Sequence, residues 1–182
     1  GFSMLEILVT LGILVIILTL STFSYRRSNS RNAIIMAAYQ LAGDARLAES
    51  YAASARQYST NSAWNVWGIN FVAKSKQYQI FVDTNFNGFY DGADPIWRTI
   101  TLPRGVTVKS LMYRNGTGSK TGITGTPLQV SAVYFPPSPT SSLSYAGLNA
   151  TYDEIFVTLE DDINLSTKEI NLNFFGLIDV IN

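Results

Sequence analysis

Residues 1–21, GFSMLEILVTLGILVIILTLS, set one carboxylate, Glu6, at the start of a stretch otherwise suited to lipid. From Ile7 to Tyr25 no residue is charged, and ILVTLGILVIILTLSTFSY has the length a helix needs to cross a hydrocarbon core of roughly 30 Å. Arg26 and Arg27 follow at once, where guanidinium groups reach headgroups and end the immersed part. A cleaved secretory signal fits less well, because its apolar region is shorter and leads into a small-residue cleavage site. The run reads as a membrane segment with the remainder of the chain outside.

Helical character continues past the arginines. NAIIMAAYQLAGDARLAESYAASAR, residues 32–56, has no proline and is rich in Ala, Leu, Arg and Glu. Ile34, Ala38, Leu41, Ala45, Ala48, Ala52 and Ala55 recur at alternating spacings of four and three and form one stripe, while Asp44, Arg46, Glu49 and Arg56 point elsewhere. A helix from Phe2 to Tyr58 is on the order of 80 Å long, so its first half must project from any compact domain. Its second half can dock through small alanines on a partner surface.

After Asn61 the pattern becomes short alternating segments of Val, Ile, Phe, Tyr and Thr between Gly, Pro, Asn and Ser clusters. Strands are predicted at NVWGINFVA, QYQIFVD, IWRTITL, VTVKSLMY, LQVSAVYF, EIFVTLE and KEINLNFF, with a short LIDVI at the end. Leu128, Val130, Ala132 and Tyr134 fall on one face, as do Ile155, Val157 and Leu159, the alternation of half-buried strands. RNGTGSKTGITGTP and PPSPTSSLSYAGLNA read as surface loops. The expected fold is α+β: a long N-terminal α-helix, the stick of a lollipop, with its C-terminal half packed on an antiparallel β-sheet head. The expected divisions are 1–27, an apolar membrane or filament-core helix; 28–58, its amphipathic continuation; and 59–182, a globular β-rich head.

Composition narrows the chemistry. Thirteen basic and thirteen acidic residues leave no net charge, so no broad field draws in nucleic acid or anionic lipid. Histidine and cysteine are both absent, which removes disulfides, the usual zinc and copper sites, and every nucleophile or base scheme that uses either. The redox compartment stays undecided. Asp153 with Glu154, or Asp161 with Asp162, are the acid pairs an enzyme could use. Neighbours on a strand face opposite ways, and Asp161 and Asp162 fall in a turn, so all four read as solvated acids and no catalysis is expected. Asn115, Asn149 and Asn164 each begin an N-x-Ser/Thr triplet, a pattern that chance explains in so polar a chain.

GFSMLEILVTLGILVIIL resembles the amino-terminal signature of the type IV pilin superfamily, which includes bacterial type IV pilins and the pseudopilins of type II secretion. In that family a glycine precedes an aromatic or apolar residue, a glutamate stands fifth in the mature chain, and an apolar run follows. Gly1, Phe2, Glu6 and the run from Ile7 to Leu20 take those places. The resemblance implies cleavage between Gly1 and Phe2 by a prepilin peptidase, methylation of the Phe2 amine, residence in the inner membrane before assembly, and handling by pilus assembly machinery. It also implies polymerisation with other copies into an extracellular pilus or a periplasmic pseudopilus. Physical reasoning gives Glu6 a part in this. A carboxylate in apolar surroundings costs several kcal/mol unless neutralised, and the terminal amine of a neighbouring copy supplies the positive charge. Paired, Glu6 rewards the correct axial step; unpaired, it penalises the wrong one. The competing reading is a glutamate that snorkels to the membrane face. One departure is the lack of any proline before Pro95, where most of the family kink the apolar helix. Thr10, Gly12, Thr19, Ser21 and Thr22 are the residues left to loosen it.

DTNFNGFYDGAD, residues 83–94, fits the D-x-[DN]-x-[DN]-G calcium loop, with Asp83, Asn85 and Asn87 at positions one, three and five and Gly88 at six. Phe89 offers its backbone carbonyl at seven, Asp91 stands at nine, and Asp94 takes the twelfth place in lieu of glutamate. Calcium takes six to eight oxygens, and three carboxylates in so short a span repel one another without a counter-ion. Strands on both flanks make this a structural clamp rather than a helix-loop-helix switch. The alternative is an Asx-rich turn held by side-chain to backbone bonds.

The order of long helix, VWGINFVAKSKQYQIFVDTNFNGFYDGADPIWRTITLPRGVTV and further strands is also similar, more weakly, to pseudopilins and minor pilins of the GspH and FimT type. Some of the FimT type bind DNA through a basic carboxyl-terminal tail, but this chain ends FFGLIDVIN with no lysine or arginine, so DNA binding is not expected. The leading expectation is a filament subunit. A pseudopilin or minor pilin is the alternative within the class, and a monomeric membrane-anchored calcium-binding adhesive module is the alternative outside it.

Overall fold

A computed structural model describes residues 1, 3–58, 66–124, 128–136, 141–145 and 152–181, with the backbone alone for 23, 24, 26, 27 and 145. The chain is α+β: one helix, α1 (Met4–Ala53), followed by antiparallel strands. One sheet takes β1 (Val66–Val72), β2 (Gln77–Asp83), β3 (Ile96–Thr101), β6 (Gln129–Tyr134) and β7 (Ser141–Tyr145), in the order β3-β2-β1-β6-β7. The other takes β4 (Val106–Arg114), β5 (Thr121–Gly122), β8 (Glu154–Asp161), β9 (Thr167–Asn173) and β10 (Ile178–Ile181), in the order β10-β9-β8-β4-β5. A single sheet was the expectation; among the described residues the head has two. They are joined where the β1–β2 turn meets β4, Lys74 N–H donating to the Val108 carbonyl at 2.7 Å and Val108 N–H to that of Ser75 at 2.9 Å.

Helix and sheets share one core. Ile34, Ala37, Ala38, Leu41, Ala42, Ala45, Ala48 and Ala52 are all buried, in one cluster with Ile69 and Phe71 of β1, Val130 of β6 and Ile155, Val157 and Ile170 of β8 and β9. Small side chains let the helix backbone approach the sheets closely, which is what packing at native density requires here. Two charged residues that lie off the buried stripe, as expected, clamp its flanks: the Tyr78 hydroxyl donates to Asp44 at 2.6 Å, and Arg46 donates to the Ile178 carbonyl at 2.7 Å. Burial first, then the bond to Asp44, raises the Tyr78 pKa far above that of a free phenol.

These contacts also order the head along the helix. Trp67, at the start of β1, donates through its indole N–H to the Arg56 carbonyl at 2.9 Å, whereas Tyr78, across from Phe71 near the end of β1, reaches back to Asp44. On the other sheet Ile178 lies by Arg46 and Asp161 by Ser30. Both sheets therefore run lengthwise beside α1, with the β1–β2 and β8–β9 turns toward its N-terminal half. At the centre of β1, a Cβ on Gly68 would lie 2.6 Å from the Phe81 ring of β2, so the ring occupies the place of a side chain.

The helix ends at Ala53, short of Tyr58, for a local reason. Arg56 N–H bonds to the Tyr51 carbonyl and Ala55 N–H to that of Ala52, both at 2.9 Å, while Ala55 adopts φ 49°. This is the double bond pattern of a Schellman stop, with alanine where glycine is usual. Ala55 is consequently exposed and leaves the buried stripe. The Arg56 guanidinium lies 4.1 Å from the centre of the Tyr51 ring and covers the turn. The loop readings change as well: Ser141–Tyr145 within PPSPTSSLSYAGLNA is strand β7, and Thr121–Gly122 within the glycine-rich loop pairs with Tyr113 and Met112. Because left-handed backbone costs an alanine about 1–2 kcal/mol, Ala55→Gly should raise stability by about 1 kcal/mol, read from the urea midpoint by tryptophan fluorescence.

Candidate functional site

The first candidate is the N-terminal half of α1. Met4–Thr22 is long and apolar enough to cross a membrane, and none of it is buried against the head. Its threonine hydroxyls are satisfied within the helix, Thr10 donating to the Ile7 carbonyl at 2.9 Å and Thr19 and Thr22 to those of Val15 and Leu18 at 2.8 Å. Such back-bonding removes a penalty that a free hydroxyl would carry in hydrocarbon.

Glu6 sits exposed in the first turn of this helix. Ser3 is the N-cap, accepting from Leu5 N–H at 3.4 Å, and Glu6 N–H donates to the Ser3 carbonyl at 3.0 Å. Ser3 and Glu6 thus hold the first and last places of an S-x-x-E capping sequence, where an acid also meets the positive end of the helix dipole. That local role was missed in the sequence reading although SMLE displays it. Gly1 is exposed ahead of the cap, and Phe2 lies outside the described residues.

The second candidate is the β2–β3 connection, which brings together all six residues of the calcium motif. Asp83 is fully buried and accepts from Gly88 N–H at 2.8 Å and Asn87 N–H at 3.2 Å. Asp94, also buried, accepts from Thr84 N–H at 3.0 Å and Asp91 N–H at 3.1 Å. Asp91 accepts from Ala93 N–H at 2.8 Å and from the side-chain amides of Asn85 and Asn87 at 2.8 and 2.7 Å. Phe86 and Gly88 take positive φ, 58° and 81°, to make the turn. The loop is moored to the sheet by Tyr90 N–H on the Ser131 hydroxyl at 3.1 Å and by the Ser144 hydroxyl on the Gly88 carbonyl at 3.0 Å.

Electrostatics separate these acids. Burial pushes the Asp83 carboxyl up; the Gly88 N–H opposes this, and the nearby Asp94 charge adds to it. Donors from Ala93, Asn85 and Asn87 hold Asp91 below its ordinary value. Among the described residues no group of three or more acids is arranged to hold a metal. As oriented, Asn85 and Asn87 turn amide N–H toward Asp91 and give their oxygens to backbone N–H of Asn87 and Phe89. A half-turn of each amide would aim both oxygens where the N–H groups now point.

Of the four acids read as solvated, Asp153 and Asp162 are exposed and Asp161 is not. Asp161 is fully buried and binds α1 to the head: it accepts the Ser30 hydroxyl and the N–H groups of Ile163 at 3.3 Å and Asn164 at 3.0 Å. Burial acts to raise its pKa, but these donors outweigh burial and bring it below 3.8. Asp153 accepts from Gly116 N–H, and Glu154 is ion-paired with Arg114, so these acids too serve the fold. Comparison with protein-family models, with curated proteins and with solved structures finds no match.

A depressed carboxylate pKa stabilises the fold above the unfolded value and loses that contribution as pH falls through the folded one. Asp161→Asn should therefore lower the unfolding midpoint clearly at pH 7, and the gap from the parent should narrow once the pH drops below 3.8.

Proposed function

We propose that this chain is the structural subunit of a helical type IV pilus-like surface filament, with no catalytic role. One observation carries the reading: Met4–Thr22 is apolar but for Glu6 and a few hydroxyls, and unburied, on a helix that continues into the packed half of the same element. An apolar surface of that extent needs lipid or other copies to cover it, and a bundle of the same helices replaces the one by the other. The lollipop form suits this, the apolar stick supplying the filament core and the two-sheet head its outer shell.

Glu6 is the register device. Moved from the membrane edge into such a bundle, its carboxylate is tolerable only beside a cation, which the processed terminal amine of Phe2 on a neighbouring copy provides. The capping geometry makes this compatible with helix formation, since the acid is already favoured in the first turn. The protein would reside in the inner membrane, be cut and methylated by a prepilin peptidase, and leave as an extracellular pilus or periplasmic pseudopilus. Pseudopilin and minor-pilin roles share this chemistry. A membrane-anchored adhesive monomer would use Glu6 only in the first turn of its helix, with no need of a neighbour's amine.

Calcium is a second, structural part of the proposal, favoured by Asp83 and Asp94, two buried carboxylates close enough for one to raise the pKa of the other. A divalent cation among Asp83, Asn85, Asn87, the Phe89 carbonyl, Asp91 and Asp94 would relieve that repulsion and brace the loop on the sheet.

Glu6→Ala should abolish filaments in electron micrographs of sheared surface material while the protein stays in the membrane fraction. Normal filaments from that variant would sink the register role, and mass spectrometry of the amino terminus checks the processing. Calcium at about 100 times its Kd should raise the melting midpoint by about 5–10 °C, and Asp91→Asn should remove the gain. An unmoved melt in millimolar calcium would leave the loop an Asx-rich turn.

A further inference from the structure

We propose that the end of the head beside Ser30 is a lipid-docking surface, with the exposed Ile163 and Leu165 in the headgroup layer of the membrane that α1 enters and Lys74, Lys76 and Arg104 facing its anionic lipids. The inference rests on the reading of Met4–Thr22 as a membrane segment.

Position comes first. Asp161 fastens the β8–β9 turn to Ser30, and the strands run lengthwise beside α1, so the turn projects from that point toward the apolar half of the helix. The membrane segment ends at Thr22, eight residues before Ser30, or about 12 Å along the axis. Headgroups add about 5–7 Å outside the hydrocarbon on each side. A turn reaching a few ångströms past Asp161 therefore brings its side chains to the headgroup level.

Shape and chemistry agree with that placement. Ile163 is 62% and Leu165 70% exposed, two large apolar side chains on one short turn. Leu165 stands at φ 52°, a conformation in which glycine or asparagine is usual, with its N–H held by the Asp161 carbonyl at 2.9 Å. The neighbouring turns converge on the same end: Asp162 N–H donates to the Gly105 carbonyl at 2.8 Å, and the β1–β2 turn bonds to Val108 on the same strand that Gly105 precedes. Lys74, Lys76 and Arg104 are exposed on those turns, against Asp162 as the exposed acid of the β8–β9 turn. Lys109 and Glu160 pair at 2.5 Å and cancel. Cations around apolar tips, on a body tethered to the bilayer by its own helix, match an anionic lipid surface. Another copy could cover the leucine and isoleucine, but the excess of positive charge is the feature that lipid explains.

The chain has no cysteine, so single variants accept one environment-sensitive dye each. The full-length protein is reconstituted in phosphatidylethanolamine–phosphatidylglycerol vesicles and in phosphatidylcholine vesicles, labelled at Thr10→Cys, Ile163→Cys or Phe175→Cys. The dye at position 163 should be blue-shifted and quenched by headgroup-proximal brominated lipid in the anionic vesicles, and much less so in phosphatidylcholine. Phe175, on the β9–β10 turn at the other end, should report water in both. Lys74→Gln, Lys76→Gln and Arg104→Gln together should lower the docking equilibrium constant on the order of 100-fold, at about fivefold per cation. A blue-shifted dye at position 10 with a water-like one at position 163 overturns the docking surface and leaves the membrane segment standing. A water-like dye at position 10 overturns both. Equal shifts in the two lipids that grow with the protein-to-lipid ratio mean that a second copy covers the turn, which also overturns the proposal.

Discussion

The buried alanines of α1 set the geometry of everything else. With Ala38, Ala42, Ala45, Ala48 and Ala52 against the sheets, the helix backbone lies close enough for Ser30 to reach Asp161, for Asp44 to receive the Tyr78 hydroxyl and for Arg46 to cap the Ile178 carbonyl. Larger side chains would hold the helix off and leave the buried Ser30 and Tyr78 hydroxyls without partners, at a cost of about 1–3 kcal/mol each. One helix thereby serves two solvents. Its C-terminal half is part of a globular core, and its N-terminal half offers no packing to the head and must find cover elsewhere.

Much of this was legible because it repeats. The strands VWGINFV, QYQIFVD and EIFVTLE announce themselves by β-branched and aromatic density, and their boundaries in the structure fall within a residue or two of the sequence signal. Strand β7 did not, for a physical reason: beside its buried Leu143 it also buries Ser141 and Ser144, on opposite faces, whose hydroxyls bond to the Asn173 and Gly88 carbonyls. One leucine makes no hydrophobic period to be read. The division into two sheets was equally hidden, since it turns on where the β1–β2 turn meets β4 in space.

The sites divide in the same way. The acid-rich loop was visible as a motif, and its six residues do come together, but the orientation of two asparagine amides and the burial of Asp83 and Asp94 depend on how β2 meets β3 and on the moorings to Ser131 and Ser144. Asp161 and Asp162 are identical in sequence terms, adjacent and alike; only the end of β8 abutting the helix at Ser30 makes one a buried fastening and the other a surface charge. Ala55 shows the limit for helices. It continues the spacing of the stripe, and the stop that excludes it from the core comes from two backbone hydrogen bonds and a guanidinium over Tyr51, with no glycine to mark the place.

The lengthwise alignment of strands and helix has a mechanical meaning. Tension applied along α1 reaches the head through side-by-side surfaces, so the alanine seam and the bonds at Ser30, Asp44, Arg46 and Arg56 are loaded in shear and must slide together to fail. A head hung crosswise on the same helix would instead peel open one bond at a time. The molecule is built as a lap joint.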